Sequence, residues 1–382
     1  MIFRTLAVSL RQRALAARVA LKARLGILGP LSILAYRGYA TDRETVLKGR
    51  VVEHKRIPEA RGGDSLLDAL RATLRRLTRL PIPGARIRVT FKERVTEVAT
   101  NDEGFFDLRF PFSPPDHPEE DLWHPVRLEL IAPRPQGRSS STEGSVLHPP
   151  RGCRHIVISD IDDTVVPTEA TSFLRMLRSL FLGSARSRLP FPGVAAFYRA
   201  LHVGRDDQPL NPILYVSRGP WNLYDLLCEF FRLHQIPIGP VLFLREWGVS
   251  DEGLRPAAPR GHKFRLIESM LRAYAELPFI LVGDSGQLDP EIYAEVVDEH
   301  PDRVQAVYIR VAEQDPERLE GIRRLADRVA KAGSRLVLAH DTEQMARHAS
   351  ECGFIEERHL AEIGVEKAVA EEPPGILETT QQ

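Results

Sequence analysis

Cysteine is scarce in this chain. Cys153, Cys228 and Cys352 are the three in 382 residues, an odd number at spacings far from any zinc or redox pattern, so neither a disulfide framework nor a metal knuckle is indicated. A reducing, cytoplasmic setting fits that usage, and Cys228, inside the apolar run LYDLLCEFF, reads as a buried small hydrophobe. Long apolar runs are missing too: no window reaches the roughly 18 uninterrupted apolar residues that a spanning helix needs. Nor is there an excess of positive charge. Lys plus Arg and Asp plus Glu both number 52, and no internal repeat is visible. Residues 1–41 hold seven of the basic residues and no acidic one, so the remaining chain carries 45 basic against 52 acidic residues. A body of that sign argues against nucleic acid as a partner.

What is present changes character along the chain. Phe3, Leu6, Leu10, Ala14, Ala17, Leu21 and Leu25 step by three or four and predict an amphipathic helix, with Val8, Leu15 and Val19 off the stripe. Its basic content suits an anionic membrane surface, or equally a docking helix, an organellar presequence or a solvated tail. From about residue 49 to 130, GRVVE, ARIRVTF, TEVAT, FFDLRF and VRLEL predict short strands, with turn chemistry at Asn101–Gly104, and together a small β-sandwich. Residues 133–150 have the Pro, Ser and Gly content of a linker. Beyond them HIVISD, ILYVS, VLFLR, FILVGD, AVYIRV and LVLAH are apolar runs of strand length, separated by helical stretches such as 221–234, 263–276 and 315–332. That alternation predicts an α/β fold with a Rossmann-like parallel sheet covered on both faces. The expected organisation is a basic helical segment 1–41, a β-sandwich-like domain 42–132, a linker 133–150, an α/β domain 151–360 and a disordered acidic tail 361–382.

In such a sheet ligands bind beyond the carboxyl ends of the strands. HIVISD ends in Asp160 and runs into Asp162, ILYVS ends in Ser217, FILVGD ends in Asp284, and Lys263 opens a helix. These types suit phosphoryl transfer from an ester. A carboxylate, Asp160, can attack phosphorus; a second, Asp162, can protonate the leaving group and later activate water. Carboxylates beside a phosphate need a screening cation, and hard oxygen ligands favour Mg2+, with Asp160, the main-chain carbonyl of Asp162, and Asp284 as the ligand set. Ser217, Lys263 and loop N–H groups supply donors to the phosphoryl oxygens.

Asp160–Thr164 (DIDDT), Ser217, Lys263 and the GDSGQLD segment from Gly283 to Asp289, at intervals of 57, 46 and 21 residues, resemble the four motifs of the haloacid-dehalogenase-like phosphatases. More narrowly, DIDDT, VSRGPWNLYDLL, IPIGPVLFLREWG and GDSGQLDPEIY are similar to the catalytic domain of the actin-patch phosphatidate phosphatases and related bacterial proteins, over roughly 150–360. The resemblance implies Asp160 as nucleophile, Asp162 as acid/base, Ser217 and Lys263 as phosphate binders and Asp284 as a magnesium ligand. Thr164 and Arg218 join the substrate-binding set. Asp163 stands where the lipins usually carry Gly, which favours the actin-patch branch. The implied reaction is hydrolysis of phosphatidate to diacylglycerol and phosphate at a membrane surface.

Plainer readings stand beside these. A calcium loop is disfavoured because Val165 and Thr171 occupy the Gly and Glu positions of an EF-hand. Asp289 either orients Lys263 or caps the helix beginning at Pro290, and Arg218 either clamps phosphate or pairs with a carboxylate. Thr168–Leu182, with Phe173 and Phe181, is either a core helix or a cap facing an acyl chain. The motifs describe the transferred group and not its leaving group, so a soluble phosphomonoester is the alternative substrate. A lipid-binding or scaffolding protein with a secondary phosphatase fold is the alternative class. Protein partners are not legible.

Overall fold

In the computed structural model the described residues are 15, 17–22, 24–53, 79–111, 121–133, 140–161, 192–217, 221–243, 259–312 and 315–371. They divide into two compact units, one formed mainly by Met1–Arg151 and the other mainly by residues from Gly152 onward.

The described residues of the first unit form eight strands: β1 Leu31–Ala35, β2 Gly38–Ala40, β3 Glu44–Glu53, β4 Arg86–Phe91, β5 Arg94–Ala99, β6 Phe105–Pro111, β7 Trp123–Ala132 and β8 Ser141–Leu147. They hydrogen-bond in the order β1-β3-β2-β8-β7-β4-β5, with β6 on the other edge of β3. Pairing is antiparallel except between β2 and β8. Period-two alternation explains the single buried face: Ile87, Val89 and Phe91 of β4 and Val126, Leu128 and Leu130 of β7 point inward, while their neighbours Arg86, Arg88, Arg127 and Glu129 do not. The turn expected at Asn101–Gly104 is present: the Gly104 N–H donates to the Asn101 carbonyl, and Asn101 Oδ1 accepts from Glu103 N and Phe105 N.

Two boundaries of this unit differ from the sequence expectation. Residues 31–40, assigned to the N-terminal segment, form β1 and β2. Within the expected linker 133–150, Ser141–Leu147 is β8, paired to β7 over seven residues. Its Ser, Thr and Gly content imitates a linker because main-chain bonds hold it and only its last two residues are buried. Gly144 is required there, since a Cβ would sit 2.9 Å from Ala35 Cβ and 3.1 Å from Val126 Cγ1. In the N-terminal helical residues 17–22, the docked side chain is Val19, part of the β-unit core, and Lys22 Nζ is held by Glu53 at 2.5 Å and 2.7 Å. Leu21 and Leu25 of the predicted stripe are 57% and 60% exposed, so these two described members of the stripe face outward. Residues 1–14 lie outside the described residues.

The second unit carries a six-stranded parallel sheet of β9 Ile156–Asp160, β10 Ile213–Ser217, β11 Val241–Phe243, β12 Phe279–Asp284, β13 Val304–Arg310 and β14 Leu336–Ala339, in the order β11-β10-β9-β12-β13-β14. β9, β10 and β12 are buried at every residue, which is why they read as continuous apolar runs. Counted from β9, the spatial order is 3-2-1-4-5-6 and reverses between β9 and β12. That reversal opens a crevice at the carboxyl ends of those two strands.

The helices are α1 Val194–Val203, α2 Tyr224–Leu233, α3 Pro259–Ala273, α4 Asp289–Glu299, α5 Pro316–Lys331, α6 Thr342–Glu351 and α7 Arg358–Glu371. α1, α6 and α7 pack on one another, and α3, α4 and α5 form a second row. α7 overlaps the expected disordered tail 361–382. Its anchors are polar and easily missed: Glu366 accepts from Ala196 N in the first turn of α1 at 3.1 Å and from Arg199 at 2.6 Å, while Lys367 reaches Asp341 at 2.9 Å. Glu366 thus supplies the N-terminal cap that Gly193 lacks a side chain to provide. Cys228 is partly exposed, against the expectation of full burial, because the most buried positions of α2 go to Leu226, Phe230 and Phe231. No helix among the described residues is long and apolar enough to cross a membrane.

Candidate active site

The site starts from strand pleating. Ser159 turns toward α1, where its Oγ meets Tyr198 Oη at 2.7 Å and donates to the Asp160 carbonyl at 2.9 Å. Asp160, the next residue and the last of β9, therefore points to the opposite face. That face is covered by α3 and α4. Lys263 of α3 and Asp289, the first residue of α4, meet Asp160 there, and all three are 0% exposed. Lys263 Nζ lies 2.7 Å from Asp160 Oδ1 and 2.5 Å from Asp289 Oδ1.

On the other side of the reversal, β12 ends in Asp284, and carboxylate oxygens of Asp160, Asp284 and Asp289 all lie within 4.8 Å of one another. Asp284 Oδ1 accepts from Gly286 N at 2.6 Å and from Gln287 N at 3.1 Å, so the loop folds back onto its own acid. Gly283 permits this crowding: a Cβ there would fall 2.8 Å from Asp289 Cβ. Ser217 ends β10, on the opposite side of β9 from β12, and is buried. Three consecutive strands thus deliver Ser217, Asp160 and Asp284 to one edge.

Charge sets the chemistry. Three buried carboxylates face one buried ammonium, an arrangement that leaves negative charge uncompensated by these four side chains. Burial works against the Lys263 ammonium, but the Asp160 and Asp289 carboxylates outweigh it and hold the group charged, above the ordinary lysine range. Tyr293 of α4 lies beneath, with its ring centroid 5.5 Å from Lys263 Nζ and its hydroxyl donating to the Val282 carbonyl. Burial first, then Asp289 and Asp160, push the Tyr293 phenol well above its ordinary value, so it stays a neutral donor.

Of the residues singled out from sequence, the structure brings Asp160, Lys263, Asp284 and Asp289 together and sets Ser217 on the neighbouring strand end. Asp289 occupies the first helical position, after Leu288 as the cap residue, and its carboxylate accepts from Lys263. Asp162, Thr164, Arg218 and the Phe173–Phe181 segment lie outside the described residues. Sequence reasoning missed Tyr293, Ser159 and Tyr198. Tyr293 sits four residues after Asp289, one helical turn on, and that spacing was the available signal. Tyr198 reads as an ordinary core aromatic, and nothing local betrays its bond to Ser159.

A buried acid–lysine cluster at the switch point of a parallel sheet is therefore the chemical class this unit presents. Comparison with known families gives it a kind. Residues 155–311 match the family model described as "Phosphatidate phosphatase APP1, catalytic domain". Over 155 residues the chain is 32% identical to Phosphatidate phosphatase APP1 of Saccharomyces cerevisiae, covering 40% of this chain and 25% of that protein. Over 156 residues it is 31% identical to an uncharacterized protein of Schizosaccharomyces pombe, covering 40% and 24%. An APP1-type phosphatidate phosphatase catalytic domain is thus what this stretch matches, and the chain spans about a quarter of the length of these two relatives. Likeness to solved structures is slight. A carbohydrate acetylesterase of Xanthomonas citri aligns over 77% of this chain and 72% of its own at 13% identity and a TM-score of 0.25, a level from which no functional parallel is drawn.

Proposed function

We propose that this protein is a phosphatase of the haloacid-dehalogenase-like type that hydrolyses phosphatidate to diacylglycerol and phosphate, with Mg2+ and an aspartyl-phosphate intermediate. The observation that carries the reading is the Asp160–Lys263–Asp289 cluster beside Asp284 at the sheet's reversal. The substrate is inferred from the similarity of residues 155–311 to a family of phosphatidate phosphatases.

The donor set fits a hard divalent cation, because its converging side-chain atoms are carboxylate oxygens and one ammonium falls short of their charge. Asp160, the main-chain carbonyl of Asp162, and Asp284 would hold Mg2+, which, when bound, screens these acids from an incoming phosphate. The chain's own residues do the rest. Lys263 and Asp289 fix the Asp160 carboxylate in one rotamer. One oxygen of that carboxylate attacks phosphorus, and the bond from phosphorus to the leaving alkoxide breaks. Asp162 supplies the proton to that alkoxide, then takes one from the water that cleaves the acyl phosphate and frees inorganic phosphate. The Ser217 hydroxyl and the Lys263 ammonium donate to the phosphoryl oxygens as charge spreads over them.

A specific observation also supports the membrane reading of residues 1–41. Leu21, Leu25 and Ile27 are 57%, 60% and 61% exposed on a segment that carries seven basic residues and no acidic one, which suits anionic lipid. Sedimentation with anionic vesicles tests it: Leu21→Ser with Leu25→Ser should lower binding, and unchanged binding removes the anchor. For the enzyme, phosphate release from phosphatidate, sugar phosphates and nucleotides, with and without Mg2+, decides the substrate class.

A further inference from the structure

The Asp284–Asp289 loop depends on a residue that lies outside every motif. Arg318 stands in the first turn of α5, a helix whose start is fixed by Asp315, whose side chain accepts from Glu317 N. From there its guanidinium reaches the loop: Nε donates to the Ser285 carbonyl at 2.9 Å and Nη2 to the Gln287 carbonyl at 2.5 Å. The same group pairs with both oxygens of Glu291 in the first turn of α4. One planar cation therefore ties two carbonyls of the loop to the helix that carries Asp289. The peptide planes involved matter for the acids. The N–H groups of Gly286 and Gln287 hold Asp284 Oδ1, and the Gly286 N–H belongs to the peptide unit whose carbonyl, that of Ser285, Arg318 grips. Ser285 is pinned at its other atoms by Arg310 O and Ala312 N.

We propose that Arg318 is a positioning residue that sets the Asp284 carboxylate and the start of α4 for cation binding. It acts through the loop and touches neither substrate nor the reacting carboxylates. The inference rests on the magnesium-phosphatase reading. Lysine cannot replace it, because a single ammonium lacks the planar fork that serves two carbonyls and a carboxylate together.

The test measures Mg2+ binding by calorimetry on the full chain, with phosphate release and thermal unfolding recorded alongside, for wild type, Arg318→Lys, Arg318→Ala and a control, Arg303→Lys. Arg303 is a guanidinium of the same kind, donating to the carbonyls of Leu271, Tyr274 and Leu277. It precedes β13, whereas the loop lies beyond that strand's other end. Loss of partners that orient a metal ligand costs about 10–100-fold in metal affinity. Both Arg318 variants should lose Mg2+ affinity on that scale, with kcat recovering at saturating Mg2+, while Arg303→Lys loses thermal stability and keeps its affinity. Overturning results are an unchanged Mg2+ affinity in Arg318→Ala, or equal affinity losses in Arg318→Lys and Arg303→Lys. Failure of the underlying reading is separately visible, since wild type would then neither bind Mg2+ nor release phosphate.

Discussion

Replacing Lys263 with methionine removes the ammonium that pairs with two of the three clustered buried carboxylates while keeping a side chain of similar length. The ion pairs lost are those of 2.7 Å to Asp160 and 2.5 Å to Asp289. Because all of these groups are inaccessible to water, the acids are left with charge that solvent cannot reach. Breaking a buried pair by removing one partner costs about 3–5 kcal/mol. For a unit of about 200 residues that corresponds to a fall in Tm of about 6–20 °C. The assay is thermal and urea unfolding of Lys263→Met in a chelator and again with Mg2+. Phosphate turnover should be lost in both. In the chelator the full destabilisation is expected, and Mg2+ should recover part of it, because a bound cation replaces the missing positive charge and stabilises the folded state by mass action. A variant within about 1 kcal/mol of wild type in chelator would refute the reasoning, since it would mean that the carboxylates do not depend on Lys263 for compensation.

Gly283→Ala puts a Cβ 2.8 Å from Asp289 Cβ; overpacking of this kind costs about 1–3 kcal/mol, and urea unfolding together with Mg2+ calorimetry should show lower stability and weaker binding. Glu366→Ala uncaps α1 and removes the carboxylate partner of Arg199, for a loss of about 1–2 kcal/mol in urea unfolding. His155 is buried, donates from Nε2 to the Leu201 carbonyl at 3.1 Å, and has its pKa pulled down from 6.5 to about 4, chiefly by burial. The unfolded chain therefore takes up that proton first as pH falls. Stability present above pH 6.5 should decline toward pH 4 by about 3 kcal/mol, read as the pH dependence of urea midpoints. His155→Gln should flatten that slope.

The parallel sheet was legible because burial on both faces forces continuous apolar runs, and runs such as HIVISD and FILVGD have no other simple reading. The residues gathered at the strand ends were legible for a related reason. A buried Asp at the end of an apolar strand is expensive, so Asp160 and Asp284 announce themselves against Ile158 and Val282. Lys263 was legible by its order among motifs, not by local chemistry, since a helical lysine is commonplace on a surface; it was expected to open the helix, whereas α3 begins at Pro259. Elements held by polar or main-chain bonds stayed hidden. β8 is paired through its backbone and shows no apolar alternation, and α7 is anchored through Glu366 and Lys367, residues that look solvated. The N-terminal stripe was legible as amphipathic, yet its orientation was not: Val19, off the stripe, docks in the core, because the core is lined by neighbours that no local pattern reveals. Arg318 belongs to the same hidden class. Its role comes from two carbonyls 33 and 31 residues away in sequence, and main-chain acceptors leave no trace in side-chain pattern.

Asp160 is proposed as the group that takes the phosphoryl from a phosphatidate substrate. The most direct measurement is phosphate release from phosphatidate in mixed micelles by wild type and Asp160→Asn, with Mg2+ and with chelator. Wild-type turnover should disappear on chelation and return with Mg2+. Asp160→Asn should show none at any Mg2+ concentration, although that variant unfolds cooperatively. Turnover by Asp160→Asn comparable to wild type, or wild-type turnover unaffected by chelation, would contradict the proposal.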